Sequence, residues 1–225
     1  MAQRLVVLGT GGNALDVMDI VDAINALSAR WELVGVLDDA GAGGAERIGL
    51  RNLGRLAQAA ALAAPGGFLA GTFFINAIGS QNSHAARPGI VARTGLHPER
   101  FAVLVHPMAS VSRRAALGHG CCVGAGASIA GNVQIGEHAW IGPNCVLGHD
   151  TLVESHAVMA PGSILSGSVR LGAGAYLGTG ATVRQGVTIG AGALVGMGAT
   201  VLHDVPAGSV VVGNPAGELR RRSGG

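Results

Sequence analysis

Two short stretches hold residues whose types and spacing could do chemistry. In "VLGHDTLVE", residues 146–154, His149 and Asp150 stand side by side. A carboxylate beside an imidazole fixes its tautomer and raises its basicity, which suits a general base working near neutral pH. Spacing alone leaves two readings for His149, a proton acceptor or a polar residue at a solvated corner. The second stretch is "GTGGNA", residues 9–14, which fits the pattern G-x-G-x-x-G/A, and Asp38 and Asp39 close the apolar run that follows it. Such a loop aims backbone N–H groups and a helix N-terminus at a phosphate, while an acid at the next strand end can take a ribose or base hydrogen bond. A tight turn without ligand is the competing reading. One nucleotide diphosphate suits the short N-terminal region better than a full dinucleotide.

The elements that must position these residues follow two different periods. From Val111 an aliphatic residue recurs at every sixth position through Leu117, Val123, Ile129 and onward to Val201, sixteen consecutive times without insertion. Neither a helical period nor strand alternation gives this spacing. A hexapeptide repeat does, with one short strand and one turn per side of a triangular prism, each repeat burying its face only against its neighbours. The expected fold is a left-handed parallel β-helix of just over five coils, with no protruding loop. Residues 18 apart then lie above one another. Gly131 and Gly167 flank His149, and Asp150 stacks between Asn132 and Ser168 as possible partners. His138 stacks on His156 and His119 lies over Glu137; these histidines and His203 read as solvated corner residues.

The region before the prism alternates strand and helix patterns: "RLVVLG", "ALDVMDIVDAINAL", "WELVGVLDD", "RLAQAAALAA", "FFINAIG", a Pro-interrupted helix in "SHAARPGIVARTG", and "FAVLVHP" as a fourth strand. This predicts a small Rossmann-like parallel sheet over residues 1–108, followed by the β-helix over residues 109–225. The chain of 225 residues carries a net charge of +2 and 3% aromatic residues, too little of either for a nucleic-acid surface. The basic run Arg220-Arg221-Arg222 reads as a solvated tail. No stretch approaches the roughly 20 apolar residues of a membrane span, and the N-terminus lacks a signal-peptide layout. Cys121, Cys122 and Cys145 have no metal-ligand spacing, so a reducing cytoplasm without a metal site is expected.

The hexad array, "NCVLGHDTLVE", "MAPGSILSGSVRLG" and "VVGNPAGELRR", together with "GTGGN", "GVLDD", "INAIGS" and "VLVHPMASV", resembles the sialic acid O-acetyltransferase and PglD-like group of hexapeptide sugar acetyltransferases. The resemblance runs from Leu5 to Arg220. It implies His149 as general base, Asp150 as its orienting acid, and acetyl-CoA lying between subunits of a homotrimer at positions matching Gly167, Thr179 and Met197. It implies a nucleotide-sugar substrate over Gly11, Gly12 and Asn13, with Asp38, Asp39 and Gly79 completing that site. The group's G-G-H-G loop is departed from at Asn13-Ala14, its second histidine at Val158, and a frequent asparagine at Gly142. The reaction implied is N-acetylation of a UDP- or dTDP-linked 4-amino-4,6-dideoxyhexose. O-acetylation of sialic acid, a non-catalytic trimeric scaffold and a nicotinamide-dependent oxidoreductase remain the alternatives.

Overall fold

The computed structural model describes residues 2–219, apart from the side chain of residue 42; the run Arg220-Arg221-Arg222 lies outside the described residues. The chain opens with strand β1 (Gln3–Leu8), helix α1 (Gly12–Leu27) and strand β2 (Trp31–Leu37). After short helices α2 (Ala42–Arg47) and α3 (Ala59–Ala63) comes β3 (Phe73–Asn76), and after it α4 (Arg87–Arg93), which begins around Pro88. The three strands form a parallel sheet in the order β2-β1-β3. Its centre is fully buried because Leu5, Val6, Val7 and Leu8 face helices on both sides. In α1, Ala14, Val17, Ile20 and Val21 line one buried face.

The apolar run "FAVLVHP" does not supply a fourth strand to that sheet. Phe101 makes a lone parallel bridge to Phe74, and the next strand, β4 (Leu104–Val105), pairs with Cys122–Val123 instead. The reason is register: Val105 stands six residues before Val111, so its backbone meets the next coil, with Leu104 and His106 N–H donating to the Cys121 and Val123 carbonyls at 2.9 Å. From β4 onward the chain is a left-handed parallel β-helix whose three faces are sheets of eight, six and five strands. Sixteen two-residue strands step every six residues from Ser110–Val111 to Thr200–Val201 without a break. Inside, Val123, Ile141, Met159, Leu177 and Val195 form one of three buried stacks. Small residues such as Ala127, Cys145 and Ala181 fill the remaining interior.

Helix α1 covers one prism face, packing its buried residues against Cys122, Trp140 and Val158 and beside Tyr176. At the next corner, Phe101 and Arg87 pack over His138. Instead of facing solvent, His138 is 3% exposed, meets the Phe101 ring edge-on at 4.5 Å and stacks on His156 with ring centroids 5.0 Å apart. His119 and His203 stay exposed, as expected. Burial, reinforced for His138 by His156 and for both by the Arg87 guanidinium, lowers each imidazole from the usual 6.5 to about 4.

Both rings are therefore neutral in the folded protein, whereas the unfolded chain takes up their protons as pH falls through about 6.5. Their contribution is complete above that pH and declines between about 6.5 and 4. The melting temperature is expected to fall across this window, and to fall less steeply in His156→Gln. Thermal melts at half-unit pH steps check it; equal slopes for wild type and variant would remove the stacked pair as the cause.

Candidate active site

His149 follows an inward Leu147 and sits at the corner after the prism's second face. Asp150 occupies the left-handed region there, with φ of 58°, as do Asn132 and Ser168 in the coils on either side. Short polar residues tolerate that conformation, and it swings the Asp150 carboxylate beside the ring. The His149 Nδ1–H donates to Asp150 Oδ2 at 2.7 Å, and Asn132 Nδ2 donates to Asp150 Oδ1 at 3.1 Å. Ser168 takes no part through its hydroxyl; its backbone N–H donates to the His149 carbonyl at 2.8 Å. These bonds, that from His149 foremost, hold the Asp150 carboxyl below the usual carboxylate range. With Nδ1 occupied, Nε2 is the free acceptor, and the imidazole is 63% exposed. Gly167 lies against the ring: a Cβ there would come within 2.8 Å of His149 Cε1 and Nε2. Glycine is needed for this close approach.

The glycine loop forms a second site. Gly11 precedes α1 with no side chain capping the helix's first turn, so its N–H groups open into a cleft of about 290 Å³. Gly11, Gly12, Asn13, Asp38 and Gly79 all line that cleft, joined by Thr10, Ser80 and Ser83. Thr10 Oγ1 donates to Asp38 Oδ2 at 2.6 Å, and Asn13 Nδ2 donates to the Gly79 carbonyl at 2.9 Å. Asp39 is not part of it. It turns toward α4, where Arg93 Nη2 lies 2.8 Å from Oδ2, and borders a neighbouring hollow with Asn52 and Arg55. Thr10 lay inside the loop motif and was legible as a hydroxyl donor. Ser80 and Ser83 had no signal beyond following β3.

Thr179 and Met197 meet at a third place, a hollow of about 30 Å³ that Tyr176 and Gln81 also line. They stand at the corner after the prism's first face, not at the His149 corner, so the chain brings Gly167 to His149 but not Thr179 or Met197. Val158 is buried beneath α1. Among the described residues, no group of three or more His, Cys, Asp or Glu gathers as a metal site. Burial raises all three thiols, Cys121 to about 11, and Cys145 lies inside the prism with its Sγ 3.2 Å from the Ala160 carbonyl. None is a ready nucleophile.

The bacterial transferase hexapeptide family (six repeats) matches residues 132–167, and the hexapeptide repeat of succinyl-transferase matches residues 168–203. No curated protein matches the chain. Among solved structures, a mutant perosamine N-acetyltransferase from Caulobacter crescentus, in complex with CoA and GDP-perosamine, is 26% identical with a TM-score of 0.81, over 98% of this chain and 99% of its own. The acetyltransferase domain of PglB from Neisseria gonorrhoeae is 29% identical with a TM-score of 0.73, over 96% of this chain and all (100%) of its own. The chain is a hexapeptide-repeat acetyltransferase. A further structure of the PglB domain, in complex with acetyl coenzyme A, is 28% identical with a TM-score of 0.67 over 97% of this acetyltransferase and 100% of that chain.

In this acetyltransferase, Gly167→Ala keeps an allowed backbone conformation while its methyl displaces an exposed, movable ring. The melting temperature should stay within about 2 °C of wild type, since the methyl meets only the end of an exposed side chain that can swing away, while the His149 ring resonances shift in NMR spectra. Unmoved His149 resonances would show that the glycine does not seat the ring.

Proposed function

We propose that the chain transfers the acetyl group of acetyl-CoA to the amine of a nucleotide-linked sugar, a 4-amino-4,6-dideoxyhexose on a UDP or dTDP carrier. The observation that carries this reading is the 2.7 Å contact between His149 Nδ1 and Asp150 Oδ2, which leaves Nε2 free as a proton acceptor. The nucleotide would lie in the glycine-loop cleft, its diphosphate on the N–H groups of the first turn of α1 and its ribose or base against Asp38. The complex of the Caulobacter relative with CoA and GDP-perosamine supports this class of substrate and adds GDP to the candidate carriers.

The amine nitrogen attacks the thioester carbonyl carbon while His149 Nε2 takes the proton it sheds. The carbon–sulfur bond then breaks, and the imidazolium returns that proton to the departing thiolate, giving an acetamido sugar and free CoA. Asp150 stabilises the imidazolium and holds its tautomer, and a backbone N–H of the prism stabilises the oxyanion. Transfer is direct, since no cysteine is placed or ionised to carry the acetyl group. Most of the acceleration comes from holding both substrates together.

The reading includes a homotrimer with its active sites between subunits. His149 and the Thr179–Met197 hollow stand at different corners of one prism, and a threefold arrangement brings one chain's corner against the next chain's face. Acetyl-CoA would lie in that cleft along Gly167, Thr179 and Met197. Three buried, unbridged cysteines accord with a reducing cytoplasm.

Thiol release from acetyl-CoA tests the chemistry against UDP-, dTDP- and GDP-linked 4-amino sugars, with sialic acid included. Release with an amino sugar is expected, falling by about 10²–10⁴ in kcat in His149→Ala and by less in Asp150→Ala. Release with sialic acid alone would move the assignment to O-acetylation. Activity of His149→Ala at the wild-type level would remove His149 as the base.

A further inference from the structure

Arg87, at the start of α4, is the largest fully buried side chain among the described residues, 1% exposed. Among the described residues no carboxylate pairs with it. An unpaired interior cation is costly, and burial lowers this guanidinium to about 10. Its hydrogen bonds go to two backbone carbonyls in different domains. Nη1 donates to the Ile78 carbonyl at 2.6 Å, just beyond β3, and Nη2 donates to the His138 carbonyl at 2.6 Å, at a prism corner. Nε has no partner. A hydrophobic residue could fill this volume without that cost, so the use of a cation calls for a positional reason.

That reason lies in what Ile78 and Gly79 do. Both line the glycine-loop cleft, and the guanidinium lies directly beneath Gly79, where a Cβ would come within 2.3 Å of Nη1. From the other side, Asn13 holds the Gly79 carbonyl. The lip of the cleft is thus clasped between the glycine loop and Arg87, and Arg87 is itself held by the prism. The far end of the same segment is secured separately. His84, 8% exposed, donates from Nδ1 to the Gln81 carbonyl at 2.9 Å, and its ring lies 5.5 Å from that of Tyr176, beside the Thr179–Met197 hollow.

We propose that Arg87 is a positioning residue for the nucleotide-linked substrate, holding the Ile78–Gly79 lip of the cleft at a set place over the prism corner at His138. Its effect on catalysis rests on the nucleotide-sugar reading above; its effect on the lip does not. The guanidinium's planar fork meets two carbonyls at once, which the single ammonium of lysine cannot copy.

Two measurements on the full-length protein with Arg87→Met and Arg87→Lys separate these claims. Hydrogen–deuterium exchange reads the lip without any substrate: amides in residues 78–83 should exchange at least tenfold faster in Arg87→Met, with those of β1 unchanged. Steady-state kinetics should show KM for the nucleotide amino sugar rising about tenfold, KM for acetyl-CoA within twofold of wild type, and Arg87→Lys intermediate. Unchanged exchange at residues 78–83, or faster exchange throughout the N-terminal domain, would overturn the proposal. So would equal rises in both KM values, the mark of a merely structural residue. Should Arg87→Met fail to fold, the same comparisons in Arg87→Lys decide the matter. A wild-type protein inactive on every nucleotide amino sugar would sink the substrate reading, and the exchange data would still decide the role of Arg87 at the lip.

Discussion

The β-helix depends on one backbone ladder, in which an N–H on one coil meets the carbonyl 17 residues further along. Leu104 donates to Cys121, Ser128 to Cys145 and Gly148 to Leu165. This register makes the coil 18 residues long and sorts side chains into interior, face and corner columns. The contacts around His149 and His138 lie in those columns. Asn132 reaches Asp150, Gly167 lies against His149, and His138 stacks on His156, each pair 18 residues apart. The close fit of His149 with its neighbours is therefore a property of the ladder as much as of the residues themselves.

The N-terminal domain takes its position from the same ladder. Cys122, Trp140, Val158 and Tyr176 form one outward column, and α1 lies on it. The first turn of α1 is also the floor of the glycine-loop cleft, so apolar packing on the prism sets the direction in which that cleft opens. A helix laid on a rigid, repetitive surface gives that cleft a defined relation to the solenoid.

The repeat was legible because its six-residue period excludes other elements, and the His149–Asp150 pair was legible because it sets a carboxylate beside an imidazole that stacks between two glycines, Gly131 and Gly167. The limits of reading are equally specific. "FAVLVHP" has the composition of a sheet strand, but Val105 falls into the hexad register, and the ladder takes it. His138 resembles any corner histidine in the repeat; its burial depends on Phe101 and Arg87, distant in the chain, packing over it, which no local pattern encodes. Asp38 and Asp39 are identical in type and adjacent, and partners distant in the chain separate them, Thr10 at Asp38 and Arg93 at Asp39. Helix α2 lies in a stretch where the glycines of "GAGGAER" hide any helical period.

A solenoid of this kind is also a ruler with fixed graduations. Since each coil advances the axis by about 4.8 Å, the height of His149, on the coil between the Trp140 and Val158 rungs that carry α1, is set in whole coils. A one-residue insertion between them would turn every inward side chain out and ruin the core, whereas adding or removing 18 residues would leave each column intact. Descendants of this chain could therefore change the span between cleft and imidazole only in steps close to the length of one sugar ring.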